Sequence, residues 1–185
     1  MVDQRLRFYR RRCRDLQQVL GKAAPAGVLL DLGAQLTPCE ERDHGLSYKE
    51  AVPLDGRLDP STGLPLDAWL QSVSSSKLAS VLQEAEDWSS PLLAQRLAEA
   101  ILHRQQQQGA YRSTLELAEV CCKVKHSDDR GLHPAKMCFT ALRSHLNQEL
   151  HELRGAMEAA LASLKLGGRL IIITTRRKEA SEAPL

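Results

Sequence analysis

The chain has 185 residues, 43% of them hydrophobic and 26% charged, with a net charge of +2; these are the proportions of a soluble globular protein holding one domain, or a core with an inserted subdomain. No apolar run approaches the ~20 residues that cross a bilayer, and the N-terminus lacks the apolar stretch of a secretory signal. Aromatic residues at 4% argue against a stacking platform for single-stranded nucleic acid, and the five cysteines show neither CxxC nor Cys/His zinc spacing, which points to reduced intracellular thiols and no metal site.

The spacing of Leu6, Tyr9, Cys13, Leu16 and Leu20 predicts a helix over about 3–20, with arginine on its other face. That face, carrying Arg5, Arg7, Arg10, Arg11, Arg12 and Arg14, reads in three ways: a solvated basic surface, a contact for RNA phosphates, or the remains of an organellar targeting segment. Gly21 and Pro25 stop the helix, and the run 27–32, GVLLDL, predicts a parallel strand covered on both faces. Residues 34–65 read as loop. Helices are predicted next from Leu66, over 75–86 with Ser74 or Ser75 at its start, over 90–107, and over 113–123, where Ser113-Thr114-Leu115-Glu116 has capping-box form.

Pro134 opens the longest predicted helix, to about Leu164. Its apolar stripe runs through Phe139, Leu142, Leu146, Leu150, Leu153, Met157, Leu161 and Leu164, and Gly167-Gly168 ends it. A second apolar strand, RLIIITT, follows at 169–175. Two apolar strands separated by helices indicate a parallel α/β sheet, with the helical block from about 54 to 132 inserted. Such sheets bind ligands beyond the carboxyl ends of their strands, and Asp31 stands at one of those ends.

At this point the motifs, taken in order, resemble a known family. GVLLDLG at 27–33 is similar to D-G-I-L-L-D-L-G, Gly45-Leu46-Ser47-Tyr48 to G-F-S-F, and residues 53–60, PLDGRLDP, to P-L-D-M-R-M-D-P. Residues 113–120 resemble T-x-E-L-A-E-V. His133-Pro134-Ala135 through Arg143, with Asn147-Gln148-Glu149-Leu150, resembles H-P-A-x-x-x-F-Q-A-L-R-x-x-V-N-x-E-L, and 166–170 resembles P-G-G-R-L. The family is that of the MraW/RsmH methyltransferases, which modify cytosine N4 in small-subunit ribosomal RNA with S-adenosylmethionine.

The resemblance implies a partial class I methyltransferase (Rossmann-like) parallel sheet with an inserted helical subdomain. It divides the chain into partial core (1–53), inserted substrate-side helices (54–132), further core (133–175) and a disordered tail (176–185). Phe8 and Asp31 match the family's cofactor contacts. Asp55, Arg57 and Asp59 match its substrate side, with Arg143 and Asn147 one helical turn apart on a face that meets either RNA or the 53–60 loop. From the residues alone, Asp31 also reads as a cap for a neighbouring helix, and Asp55, Arg57 and Asp59 as a structural ion-pair turn.

Several family features have no counterpart in this chain. They are the glycine-rich G-G-G-H loop, the acidic residue that holds the cofactor ribose, a glutamine where Pro38 stands, and most of H-S-L-E-D, of which only Glu179 matches. The expectation is a family member, in the mitochondrial matrix or the cytoplasm, that on its own binds S-adenosylmethionine negligibly and is inactive. Its expected partner is small-subunit ribosomal RNA, with ribosomal proteins or assembly factors beside it. The alternative is a non-catalytic RNA-binding assembly factor or structural component of a small ribosomal subunit. No catalytic residue is assigned.

Overall fold

The computed structural model describes residues 6–33, 36–84, 90–124 and 133–182. A 3-10 turn at Cys13–Asp15 leads into α1 (Leu16–Leu20), followed by β1 (Gly27–Asp31), α2 (Pro38–Asp43), α3 (Leu66–Ser72), α4 (Ser75–Gln83) and α5 (Pro91–Gln108). Then come α6 (Thr114–Val124), α7 (Pro134–Leu146), α8 (Glu149–Ser163), β2 (Arg169–Ile173) and α9 (Arg177–Glu182). The chain forms two compact units, residues 1–34 with 148–185, and residues 35–147. The sequence divisions at 53/54 and 132/133 fall inside the second unit, because the described parts of 35–53 and 133–147 pack with the helices between them.

In the first unit β1 and β2 pair in parallel, from Gly27 opposite Arg169 to Asp31 opposite Ile173. Leu30, with Val28, Leu170 and Ile172 beside it, packs on Leu153, Ala156 and Met157 of α8. The sequence predicts cover on both faces, but Leu29, Ile171 and Ile173 are 58%, 52% and 48% exposed. An apolar run records that a strand can be buried on both faces; among the described residues the helix packed on these strands is α8, which covers one face.

The helix predicted over 3–20 is present only as the 3-10 turn and α1; residues 6–12 have no regular structure and 3–5 lie outside the described residues. Arginines three and four positions apart repel along a helix, and exposed Leu6 and Tyr9 gain no core contact to offset the cost of nucleation. The turn instead lies against α8 at Gly155, where an added Cβ would sit 2.9 Å from that of Arg14. The tail expected to be disordered carries α9. Arg154 holds Glu182 through two bonds of 2.6 and 2.8 Å, and buried Glu179 accepts hydrogen bonds from Thr174 and Arg176.

The second unit is a helical body around Leu66, Leu70, Leu78, Leu82, Leu97, Ile101, Leu117 and Leu142, all essentially inaccessible to water. Ser74 caps α4 by accepting from the Lys77 N–H, as its sequence suggests. Within the stretch read as loop, α2 starts with a full capping box, Thr37 and Glu40 each bonding the other's backbone N–H, with Pro38 in the first turn. The signal was present as T-P-C-E. Glu116 does not close the predicted box with Ser113; its carboxylate accepts from the Arg112 N–H and from Arg104.

The long helix predicted over 134–164 is two helices. Asn147 ends α7 by turning its amide back onto the Arg143 carbonyl (2.8 Å), and Gln148 takes a left-handed conformation (φ 52°) before α8. The single apolar stripe in sequence therefore serves two cores: Phe139 and Leu142 in the helical unit, Leu153 and Met157 in the sheet unit.

Candidate functional site

Asp31 stands at the carboxyl end of β1, where the pairing with β2 continues for one bond, Leu32 N–H to the Ile173 carbonyl (2.8 Å). Its side chain is exposed and makes no hydrogen bond among the described residues, so it caps no helix there. What it offers is a carboxylate acceptor at the end of a parallel strand. Phe8, the other residue matched to the cofactor, is 83% exposed. Among the described residues, β1 runs into Gly33 with no glycine-rich turn opening onto a helix within the unit. These residues suit one donor and one ring of S-adenosylmethionine and do not suit the whole cofactor.

Just past the end of β2 lies a network that the sequence reading missed. Arg176 bonds Glu149 (2.8 Å) and buried Glu179 (3.3 Å), and Thr174, just past β2, donates to Glu179. An arginine shared by two carboxylates fixes the chain leaving the strand end. The Glu179 match was the available signal, but its partners Arg176 and Glu149 are distant or unremarkable in sequence.

In the helical unit the loop 53–60 is tied by its own charges. Arg57 forms a two-pronged pair with Asp55 (Nε to Oδ1 2.7 Å, Nη2 to Oδ2 2.9 Å) and donates to the carbonyls of Pro60 and Gly63. The guanidinium's hydrogen bonds hold the Asp55 carboxyl below the usual aspartate range, against a smaller opposing push from burial. Asp59 accepts from the N–H and hydroxyl of Ser61, a local turn. Asn147 closes the arrangement, accepting from Leu58 N–H (2.8 Å) and donating to the Gly56 carbonyl (2.9 Å). Asp55, Arg57 and Asn147 thus meet in one network, and the face of α7 bearing Asn147 meets the 53–60 loop.

Gly45 makes the approach of that loop possible. Its φ is 63°, and a Cβ there would fall 2.2 Å from the Pro53 carbonyl oxygen. His44 Nδ1 bonds the Arg57 carbonyl (2.8 Å) from the same turn. From the other side, buried Thr114 donates its hydroxyl to the Glu50 carbonyl (2.7 Å), and its N–H to that of Val52.

Arg143 stands on α7, one turn before Asn147. With Lys136, Phe139 and Thr140 of α7 it walls a cavity of about 150 Å³, completed by Leu36, Glu41, Leu46 and Tyr48. Of the amino-terminal arginines, Arg12 and Arg14 are engaged by Glu152 at 2.7 and 3.4 Å. Arg7, Arg10 and Arg11 are exposed and have no ion pair among the described residues, and Arg5 lies outside them.

The sequence matches the MraW methylase family over residues 1–180. A protein of Xanthomonas axonopodis pv. citri named ribosomal RNA small subunit methyltransferase H is 36% identical over 172 residues, 93% of this chain and 49% of that protein. Proteins of the same name from Polaromonas naphthalenivorans and Albidiferax ferrireducens are each 36% identical, over 83% and 84% of this chain and 49% of their own length. The chain spans about half the length of the curated relatives it matches.

Proposed function

The chain belongs to the MraW methylase family, and from that premise we propose that it carries the substrate-facing part of an enzyme that methylates a cytosine N4 in small-subunit ribosomal RNA. The observation that carries the reading is the family match through 1–180, with Asp31 standing exposed at the carboxyl end of a parallel strand. S-adenosylmethionine, when bound, supplies a methyl group on a positively charged sulfur. Transfer of that group requires the amine and the methyl to be held in line more than it requires a strong acid or base. In this chain Asp31 contributes one acceptor toward the cofactor, Phe8 one ring, and Arg7, Arg10 and Arg11 contribute charge for RNA phosphates. The residues of this chain alone do not hold the cofactor.

Three measurements test the proposal. A chimera in which this chain replaces its matching part of the Xanthomonas relative should methylate small-subunit ribosomal RNA, read by mass spectrometry of digested nucleosides, and Asp31→Ala should depress that activity. A folded chimera that binds cofactor and RNA yet leaves cytosine unmodified would support instead a non-catalytic RNA-binding role in the small subunit. For the chain itself, calorimetry should show no S-adenosylmethionine binding; micromolar binding lost in Asp31→Ala would overturn that part. RNA binding should weaken with salt, and reversing the charges of Arg7, Arg10 and Arg11 should flatten the log–log salt slope by about 2. An unchanged slope would remove those arginines from the RNA surface.

A further inference from the structure

Leu29, Ile171 and Ile173 form an apolar face of the sheet unit that stays about half open to solvent. Alternation along the strands sends Leu30, Leu170 and Ile172 toward α8 and sets Leu29 beside Ile171 on the opposite face. The same face carries one charge at each end. Asp31 ends β1 opposite Ile173, and Arg169 begins β2 opposite Gly27, which brings no side chain to the surface. Both charged residues are exposed, and neither has an ion pair among the described residues.

We propose that two copies of the chain associate through this face, sheet against sheet, with the strands of one copy antiparallel to those of the other. Because β1 and β2 are parallel, the face is acidic at their carboxyl ends and basic at their amino ends. A second copy, turned end over end about a twofold axis between the sheets, matches those ends by symmetry. Leu29 and Ile171 then meet their own counterparts near the axis. Asp31 of each copy descends over Gly27 of the other, beside Arg169, and the contact occurs twice. Packed sheets stand ~10 Å apart, a gap that an arginine and an aspartate bridge together. Stacking in the parallel sense gathers both acids at one end and both bases at the other, so repulsion disfavours it. A helix from an unrelated protein would have to bring an acid and a base at the right separation; a second copy has them by construction.

The face offers far fewer side chains than the roughly 20–30 residues a side of a standard interface, so the pair is transient. Within it Asp31 is closed to any other donor, which makes association and use of that carboxylate by a ligand mutually exclusive. The inference holds whether or not the chain meets RNA. The test is sedimentation velocity of the full chain from about 10 µM to about 1 mM, where a transient interface populates both states. The parent should pass from monomer to dimer with a midpoint of about 100 µM, and the midpoint should rise with salt. Ile171→Lys, at a half-exposed position, should keep the chain monomeric throughout. Leu29→Gln should weaken association about tenfold, and it keeps the test open if the first variant unfolds. Asp31→Arg and Arg169→Asp should each weaken association about tenfold, and the two together should restore the parent's midpoint to within about twofold.

A chain that stays monomeric at every concentration would overturn the proposal and leave the face to a different polypeptide. A dimer indifferent to Ile171→Lys and to the charge reversals would overturn it as well, placing association on another surface or along the strand edges. Single reversals that weaken the dimer without rescue by the double exchange would overturn the antiparallel match.

Discussion

Leu78, Leu82, Leu97, Ile101 and Leu117 of the helical unit are each at most 1% exposed, whereas Leu29, Ile171 and Ile173 of the sheet unit, equally apolar in sequence, are about half exposed. The first group lies where four or more helices converge, so every apolar side finds a partner. The second lies on two strands that, among the described residues, have α8 behind them. Apolar sequence states what a segment can bury, and the number of elements packed around it decides what it does bury. The helical unit therefore carries most of the stability available within these residues, while the sheet unit presents Asp31 on a thinner support.

The sharpest way to break that contrast is to cut one leucine from each core. Leu117→Ala, at a site with no exposure, should cost about 3 kcal/mol, and Leu30→Ala, in a core of four buried residues, about 1.5 kcal/mol. Residue-resolved hydrogen exchange is the proper measurement, since two units need not unfold together. Protection should fall across α4–α6 for the first variant and across β1, β2 and α8 for the second. Equal losses would mean that the sheet unit is better covered than its surface indicates.

The same contrast explains which features could be read in advance. Helices α3 to α6 were visible because their apolar spacing and starts agree with the core they join, as at Ser74. The strands were visible in place and in parallel sense, since a continuous apolar run separated by helices has few other uses. The break at Asn147–Gln148 was hidden because one unbroken stripe served two cores, and periodicity carries no label for which core a residue faces. At the site, Asp31 was found from its position at a strand end, and the Asp55–Arg57 pair from its spacing. Thr114, Gly45, Tyr48, Glu41 and Lys136 act through partners brought close by folding, up to 95 positions apart in the case of Glu41 and Lys136, whose numbers differ by that amount. No local pattern encodes such a meeting.

A smaller effect tests how the helical unit holds its outer loops. Thr114→Val keeps the shape of a wholly buried side chain and removes the hydroxyl that bonds Glu50. A part-buried carbonyl losing its donor should cost about 1 kcal/mol. Denaturant unfolding would give the loss, and faster exchange at the Val52 amide would locate it. A change below about 0.5 kcal/mol would show that water replaces the hydroxyl.

The smallest effect separates two of the aspartates that the sequence singled out, Asp31 and Asp55. Asp55 is bonded twice by Arg57 and its carboxyl is held below the ordinary value, so its ionised form is favoured in the folded state. A depressed folded value gives stability that is fully present above the unfolded value of about 3.9 and is lost as pH falls through the folded one. Asp55→Asn should therefore cost about 1 kcal/mol at neutral pH, a modest figure because the pair is part-exposed, and the gap to the parent should close in acid below that value. Asp31→Asn removes a carboxylate with no hydrogen bond among the described residues and should change stability by less than about 0.5 kcal/mol. Denaturant curves at neutral pH and in acid read both variants. A pH-independent loss at Asp55 would mean that the loop is held by its backbone bonds to His44 and Asn147 rather than by its ion pair. A large loss at Asp31 would mean that the carboxylate supports the fold, and that its exposure at the strand end is no sign of a ligand.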